Sequence, residues 1–176
     1  MTQDRQSLRR TVRPMTSKMT ITVREAQERD VDLLVAMNRV VHDLHFAAVP
    51  AFFRHPEPGV VAELFRSRLR RPDGRVWIAS VGEVPAGYAV SVIRERPENA
   101  ICSAQRFYEL EEVGVSPAHR QRGVARALVE RALADARAQG VRDVQLTCWS
   151  FNAEAQAAFE ALGFRPMTVR FQRESG

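Results

Sequence analysis

The chain has 176 residues, with 45% hydrophobic and 27% charged side chains and a formal net charge of +5. This length and composition fit one domain with a full hydrophobic core. No apolar run approaches the roughly 18 residues of a membrane span, and neither a secretory leader nor a disulfide framework is evident, so we expect a cytoplasmic protein with no membrane partner.

Most of the positive charge precedes residue 20, so it does not indicate a nucleic-acid-binding surface on the domain. The excess comes from five basic side chains opposed only by Asp4: Arg5, Arg9, Arg10, Arg13 and Lys18. The segment is rich in Ser, Thr and Gln and has no apolar period, which is typical of disorder. We expect residues 1–18 to be a disordered or misassigned tail, rather than one that binds an acidic partner, and residues 19–176 to form a single domain.

Apolar periodicity predicts alternating strands and helices along the rest of the chain. Strands are expected at residues 20–24, 76–81, 86–93, 107–115, 144–149 and 167–172. Helices are expected at residues 31–49, 60–70, 117–139 and 153–162. The resulting order β-α-α-β-β-β-α-β-α-β predicts an α/β protein with a mixed sheet and helices on both faces.

The strand over residues 107–115 carries three glutamates, although it is expected to be central in the sheet. Buried carboxylates must be paired, hydrated or directed into a cavity. By alternation Glu109 and Glu111 share one face and Glu112 the other, unless a bulge shifts the register. Gly114 indicates such a bulge or a close approach of the backbone to another group. We expect at least one glutamate to line a reaction cleft, with pairing to arginines as the alternative.

The segment after this strand combines basic and small residues at a helix start. Its core is Arg120-Gln121-Arg122-Gly123-Val124-Ala125. The first N–H groups of a helix have no partner within it, and they favour phosphate. We therefore expect a phosphate-bearing ligand here, with Arg126 as a further basic contact.

Asn152 lies at the last strand-to-helix junction before Gly163. A helix N-cap and a ligand contact are both open for this side chain. No Cys-x-x-Cys or His-x-x-x-His spacing is present in the chain, so no metal site is predicted.

Three elements in order resemble the GNAT superfamily of N-acetyltransferases, which use acetyl coenzyme A (acetyl-CoA). They are the strand and turn over residues 113–117, the loop Arg120-x-x-Gly123-x-Ala125, and the segment from Asn152 to Phe164 with its Asn-x-x-Ala and Gly-Phe. The resemblance covers residues 21–171. It implies a central mixed sheet that is splayed between two strands, and transfer of acetyl directly to an amine.

The resemblance also implies a set of residues that bind the cosubstrate acetyl-CoA. The loop and helix start would bind its pyrophosphate through Arg120, Gln121, Arg122, Gly123, Val124, Ala125 and Arg126. Val113 and Val115 would hydrogen-bond the pantetheine arm, an N–H near Val113 or Gly114 would polarise the thioester carbonyl, and Asn152 would contact the thiol end.

For catalysis, the resemblance places a base at Glu109, with Glu111 as the next candidate. Many members carry a tyrosine that protonates the leaving thiolate, but the matching residue here is Phe159, which we expect to be a core residue. No general acid is assigned.

The acceptor side is expected to lie around the first two helices, where His42, His45 and several phenylalanines occur. Carboxylates are few there, which favours a small amine, an amino-acid derivative or a peptide N-terminus over a polycation. The alternative function is a non-catalytic acyl-CoA sensor. Homodimerisation is common in the family, and no interface is evident from the sequence.

Overall fold

The computed structural model describes residues 20–173, so the expected tail over residues 1–18 lies outside the described residues. The elements in chain order are β1 Ile21–Glu25, α1 Val31–Ala48, α2 Val60–Leu69, β2 Gly74–Val81, β3 Val84–Arg96, β4 Gln105–Val115, α3 Val124–Ala138, β5 Val144–Leu146 and α4 Ala153–Ala161.

The five strands form one mixed sheet in sequential order. The first three pairings are antiparallel, and β4 pairs with β5 in parallel. On one face α3 buries Leu128 and Val129 with one half of the core. On the other face, Leu34 of α1 and Phe65 of α2 pack in a second cluster. The predicted mixed sheet with helices on both faces is confirmed.

The helix predicted over residues 117–139 begins later than expected. Pro117–His119 forms a separate 3-10 turn, and α3 starts only at Val124. Gln121 and Gly123 have φ values of 58° and 87°, which are left-handed and interrupt a right-handed helix.

Four strand predictions also need correction. The hairpin of β3 and β4 is longer than predicted and includes Glu95 paired with Arg106. The strand predicted over residues 144–149 ends at Leu146, where the chain leaves β4. The strand predicted over residues 167–172 is absent, because this segment has no neighbouring strand to pair with.

A bulge in β4 changes which glutamates share a face. Glu112 lies opposite Val90 and Leu110 lies opposite Ser91, so Glu111 is one extra residue in β4. An inserted residue reverses the alternation of side chains beyond it. Glu109 and Glu112 therefore both point toward the face covered by α1 and α2, and simple alternation does not hold here.

Candidate active site

The sheet opens between β4 and β5. The two strands pair only from Tyr108 to Leu110 of β4, against Val144 to Leu146 of β5. Beyond this point β4 continues to Val115, paired with β3 on its other side. Among the described residues, no strand pairs with this edge of β4, so its backbone groups are available to a ligand.

The directions of the backbone N–H and carbonyl groups show which residues of β4 face the gap between β4 and β5. The N–H of Ser116 donates to the carbonyl of Ala86 at 2.9 Å, toward β3. Because alternate residues of a strand point their backbone groups to opposite sides, Val113 and Val115 direct theirs into the gap. The bulge produces this arrangement, since before it the N–H of Tyr108 points to the β5 side and donates to Asp143.

Gly114 is small because of packing against α1 and β3. A Cβ atom there would lie 2.5 Å from Cε1 of Tyr88 and 2.8 Å from Cγ2 of Val41. By the same alternation its backbone groups point toward β3. Of the two positions at which the sequence predicted an N–H for the thioester carbonyl, Val113 therefore faces the gap and Gly114 does not.

The loop that follows β4 has two residues in the left-handed conformation, and it leads directly into the start of α3. Gln121 is the single non-glycine residue with positive φ in the part of the chain that the structure describes. Gly123 adopts φ 87° at the N-cap of α3, and the first helical bond runs from Ala127 to its carbonyl. The N–H groups of Val124, Ala125 and Arg126 thus lie at the free helix start, where phosphate binds favourably.

The side chains of this loop divide into two groups. Val124 is buried in the core, so only its backbone is available to a ligand. Arg120 and Arg122 are exposed to solvent, and Arg126 lies 3.6 Å from Glu130 one turn later. Two exposed guanidinium groups therefore flank the helix start and add positive charge to it.

Asn152 caps α4, which is one of the two roles that the sequence left open for it. Its Oδ1 accepts a hydrogen bond from the N–H of Ala155 at 3.1 Å. The loop before it is fixed by Gln156, whose Nε2 donates to the carbonyls of Trp149 and Ser150 at 2.9 and 3.1 Å. The cap uses only the oxygen of Asn152, so its amide hydrogens remain for a ligand.

The three glutamates of β4 are each paired with arginine. Glu109 accepts from Nε of Arg94 at 2.7 Å, and Glu111 accepts from Nη2 of the same arginine at 2.6 Å. Arg71 also contacts Glu111, at 3.4 Å. Glu109 lies on the part of β4 that β5 closes, on the order of 10 Å along the strand from Val113. The structure does not bring it together with the gap.

Glu112 belongs to a network that joins both helices of its face to the sheet. It accepts from Nη2 of Arg68 at 2.7 Å, from the hydroxyl of Tyr88 at 2.9 Å and from Nδ2 of Asn38 at 3.1 Å. Glu112 was not among the predicted site residues. The signal in the sequence was a third glutamate in the same strand, next to Val113.

Neither tyrosine of the chain is placed to serve as a general acid. Tyr88 is fully buried, and burial together with the charge of Glu112 raises its pKa. Tyr108 is also buried, and burial raises its pKa to about 12. Its hydroxyl donates to Oδ2 of Asp135 on the α3 side at 2.9 Å. Phe159 packs against the core and Phe164, as expected.

One face of α1 follows β4 toward the open end of the gap. Asn38 contacts Glu112, and Val41 packs against Gly114. His45 is the next residue on this face, about 6 Å further along the helix. Its Nδ1 lies 2.9 Å from the carbonyl oxygen of Val41. Because a carbonyl can only accept, Nδ1 carries the proton and the lone pair of the neutral ring is on Nε2.

An aromatic cluster connects α1 with the segment after β5. The His45 ring lies 5.6 Å from that of Phe151 and 5.3 Å from that of Phe53. Trp149 contacts Phe52 and Phe53 at 5.0 and 5.3 Å between centroids. His45 therefore reaches across the open end of the gap, from the helix on one side to the β5 segment on the other.

Among residues 20–173, no helix is long and apolar enough to cross a membrane. No group of three or more His, Cys, Asp or Glu side chains in this range could hold a metal ion.

The free edge of β4 and the helix start after it can accommodate a ligand that has an extended amide-containing arm and a phosphate group. Such an arm can add to a sheet as a strand, and phosphate binds at helix N-termini. The profile of the Acetyltransferase (GNAT) family matches residues 40–164, and the chain belongs to this family. The resemblance inferred from the sequence is confirmed.

Similar proteins agree with this assignment. The chain is 44% identical over 129 residues to the mycothiol acetyltransferase of Beutenbergia cavernae, covering 69% of this chain and 40% of that protein. In fold it resembles the BH1408 protein of Bacillus halodurans, with a TM-score of 0.82, 20% identity, and coverage of 88% and 99% of the two chains. It also resembles the aminoglycoside N-acetyltransferase AAC(6′)-Iy, solved in complex with CoA, with a TM-score of 0.67, 24% identity, and coverage of 88% and 95%. The chain spans less than half the length of the curated relatives it matches.

Proposed function

We propose that the protein transfers the acetyl group of acetyl-CoA directly to a primary amine of a small molecule, an amino-acid derivative or a peptide N-terminus. The observation that carries this proposal is the free edge of β4 at Val113 and Val115, which leads into the left-handed loop at Gln121 and Gly123. An extended arm and a phosphate group can occupy these two features at the same time. Acetyl-CoA has both, and it supplies an acetyl group activated as a thioester.

Different residues of this chain bind different parts of acetyl-CoA. Backbone groups of Val113 and Val115 hydrogen-bond the amide-containing arm, and the N–H of Val113 polarises the carbonyl that is attacked. The N–H groups at the start of α3 bind the pyrophosphate, with Arg120 and Arg122 adding positive charge. The amide of Asn152 contacts the arm from the β5 side. All of these contacts are proposals, supported by the backbone directions and by the exposure of the side chains.

An amine must lose a proton before it can attack, and His45 is positioned to take that proton. Its Nδ1–H is used by the carbonyl of Val41, so Nε2 is the basic atom. The ring contacts Phe151 on the far side of the gap. A neutral imidazole at this position can act as general base.

Glu109 and Glu111, the bases expected from the sequence, stay predictions. Both carboxylates are bound by Arg94, so either one would have to release this arginine before it could contact an amine. Glu109 also lies on the closed part of β4. For these reasons we rank His45 ahead of Glu111, and Glu111 ahead of Glu109.

The charge around the gap favours an acceptor of low positive charge. The three glutamates of β4 are balanced by Arg68, Arg71 and Arg94. On α1, Asp43 lies 3.9 Å from Arg39. A polycationic acceptor would need carboxylates that are not neutralised by arginines. The aromatic rings at the open end favour an acceptor with an apolar or planar group beside its amine.

A panel of amines assayed for thiol release from acetyl-CoA tests the proposal. The panel should contain small aromatic amines, amino-acid derivatives, short peptides, a polyamine and an aminoglycoside. Release that depends on a monoamine or a peptide supports the proposal, and strong turnover of the polycations alone contradicts the acceptor class. CoA binding without release for any amine would favour the alternative, a non-catalytic acyl-CoA sensor. The predicted cytoplasmic location is tested by cell fractionation.

A further inference from the structure

The N-terminal end of β1 lies beside the loop that begins α3. A Cβ atom added to Gly123 would lie 3.6 Å from Cδ1 of Ile21, the first residue of β1. One residue earlier, the carbonyl of Thr20 accepts from the N–H of Gly82 at 3.0 Å, which fixes this end of β1 at the turn between β2 and β3. The basic tail that precedes Thr20 is therefore attached next to the loop that is proposed to bind phosphate.

This end of the sheet holds the N-terminus of α3, and the opposite end holds its C-terminus. A Cβ atom added to Gly87 in β3 would lie 3.0 Å from Cγ1 of Val124, the first residue of α3. At the other end, Nη1 of Arg106 in β4 donates to the carbonyl of Gln139, the C-cap of α3, at 3.2 Å. Because α3 has 15 residues and is about 22 Å long, the tail is attached close to one end of α3 and far from the other.

The tail brings a high density of positive charge to this point. Its four basic residues nearest to β1 are Arg9, Arg10, Arg13 and Lys18, and no acidic residue occurs from residue 5 to residue 24. Lys18 precedes Ile21 by three residues, so the covalent chain limits the distance between their Cα atoms to about 11 Å. This tether is comparable with the Debye length of about 8–10 Å. A charge held so near the loop is only partly screened from a ligand bound there.

The surface around the loop is itself positively charged. Arg120 and Arg122 are exposed there, and Arg126 lies 3.6 Å from Glu130. The turn between β2 and β3 adds one exposed carboxylate, that of Glu83. These three basic and two acidic side chains leave an excess of positive charge, which repels a basic tail. A ligand with several negative charges removes this repulsion, because it attracts the loop and the tail at the same time.

We propose that the tail over residues 9–18 binds phosphate groups of the same acetyl-CoA molecule whose pyrophosphate is bound at the start of α3. CoA carries a phosphate on its ribose in addition to the pyrophosphate, so it offers anionic groups to both the loop and the tail. Because the tail is tethered beside the loop, its cations act at a local concentration on the order of millimolar. The proposal rests on acetyl-CoA as the donor in the proposed function.

The point of attachment is what distinguishes this conclusion from the expectation drawn from the sequence. The sequence favoured a tail without an acidic partner, because composition alone does not show which part of the domain the tail adjoins. The contact between Ile21 and Gly123 supplies that information. The same five charges attached at the other end of the sheet would lie beyond the Debye length from the loop and would have no effect on the ligand.

Calorimetric titration of the whole protein with CoA tests the proposal. The variant R9Q/R10Q/R13Q/K18Q removes four positive charges from the tail and changes no residue of the domain. At low ionic strength its affinity for CoA should be about three- to tenfold weaker than that of the wild type, which is the effect of two or three exposed ion pairs. At high ionic strength the two affinities should become equal, because salt screens exposed charges.

The matched control removes the same number of charges from the far end of the sheet. The variant R29Q/R70Q/R137Q/R142Q changes four exposed arginines, two of them beside the C-terminal end of α3, and it should bind CoA like the wild type. Equal affinity of the tail variant and the wild type at low ionic strength overturns the proposal and leaves CoA as the ligand. Equal losses in the two variants also overturn it, because net charge is then the cause. A wild-type protein that does not bind CoA overturns the proposed function as well.

Discussion

The hydroxyl of Tyr88 donates a hydrogen bond to Oε2 of Glu112 at 2.9 Å, which joins β3 to β4 beneath α1. Glu112 reaches this position only because the bulge at Glu111 turns it toward α1 and α2. Asn38 then binds both the hydroxyl and the carboxylate. The network fixes α1 over β4, and so it sets where His45 lies relative to the gap.

Replacing Tyr88 by phenylalanine should lower the free energy of unfolding by about 1–3 kcal/mol, since it removes a partly buried hydrogen bond to a charged carboxylate. Urea unfolding measures this. V84T on the exposed end of β3 is the control and should change stability by less than about 0.5 kcal/mol. If Y88F is as stable as the wild type, Glu112 does not depend on this bond.

Replacing Gly123 by alanine should weaken CoA binding about tenfold, because the left-handed φ of 87° costs about 1–2 kcal/mol for a residue with a Cβ and the loop relaxes away from it. Calorimetric titration with CoA measures the affinity. G140A is the matched control, because Gly140 also has a left-handed φ, of 69°. It follows the C-terminal end of α3, far from the loop, and a Cβ there would meet nothing within 4 Å. Both variants should lose similar stability, and only G123A should lose affinity. Equal affinity in the two would contradict a phosphate-binding role for this loop.

The sequence predicted the order of the elements from β1 to α4 and the loop that begins α3, because these depend on local patterns. Alternating apolar residues define β2 and β3, and the small residues at Gly123 and Ala125 define the loop. The missing strand over residues 167–172 shows the limit of this approach. Its pattern is that of a strand, but a strand also needs a neighbour, and no local pattern specifies one.

The bulge at Glu111 is the second limit. Gly114 suggested an irregularity, but the position of the extra residue is set by pairing with β3, which involves residues about twenty positions away. Without its position, the faces of Glu109 and Glu112 could not be assigned. The arginines that pair with these carboxylates come from α2 and β3. The sequence of β4 alone therefore could not predict that the carboxylates are paired.

Replacing His45 should separate its proposed role as base from its structural hydrogen bond. H45N keeps an amide donor for the carbonyl of Val41 and removes the Nε2 atom, so kcat should fall about a hundredfold or more while CoA affinity and stability stay unchanged. In H45A, added imidazole should restore part of the rate, which a purely structural role would not allow.

Measuring kcat for the glutamine variants shows which of the two glutamates contributes more to the rate. E109Q should retain most of its kcat, because Glu109 lies on the closed part of β4 and is bound by Arg94. A large loss of kcat in E109Q or E111Q, together with a loss of the acidic limb of the pH–rate profile, would support the base expected from the sequence. A fully active H45N would rule out His45.

Asp30 gives the fold a predictable response to acid. It is buried, it accepts from both Nη1 and Nη2 of Arg24 at 2.7 Å, and it accepts from the N–H of Gln27 at 2.8 Å. These bonds, that of Arg24 above all, lower its pKa. The stabilisation is therefore complete above the ordinary aspartate value of about 3.9 and is lost as the pH falls through the lowered value in the folded state.

D30N should lower the free energy of unfolding by about 1.5–3 kcal/mol at neutral pH, and its difference from the wild type should shrink as the pH falls below about 4. Unfolding by urea at several pH values measures both effects. D32N is the control, because Asp32 is exposed in the first turn of α1. A D30N deficit that persists undiminished in acid would show that the charge of Asp30 is not its source.

Cys148 provides a probe of the gap that needs no knowledge of the acceptor. It is partly buried after β5, where its Sγ lies 3.7 Å from the carbonyl of Trp149, and burial raises its pKa. Alkylation proceeds through the thiolate, so Cys148 should react roughly tenfold more slowly than the exposed Cys102 at neutral pH. In a C102S variant, iodoacetamide labelling followed by mass spectrometry isolates this thiol. CoA should slow its labelling further, because the segment from Cys148 to Asn152 borders the gap in which the arm is proposed to bind. Labelling that is as fast as that of Cys102 would contradict the burial, and labelling unaffected by saturating CoA would place the arm elsewhere.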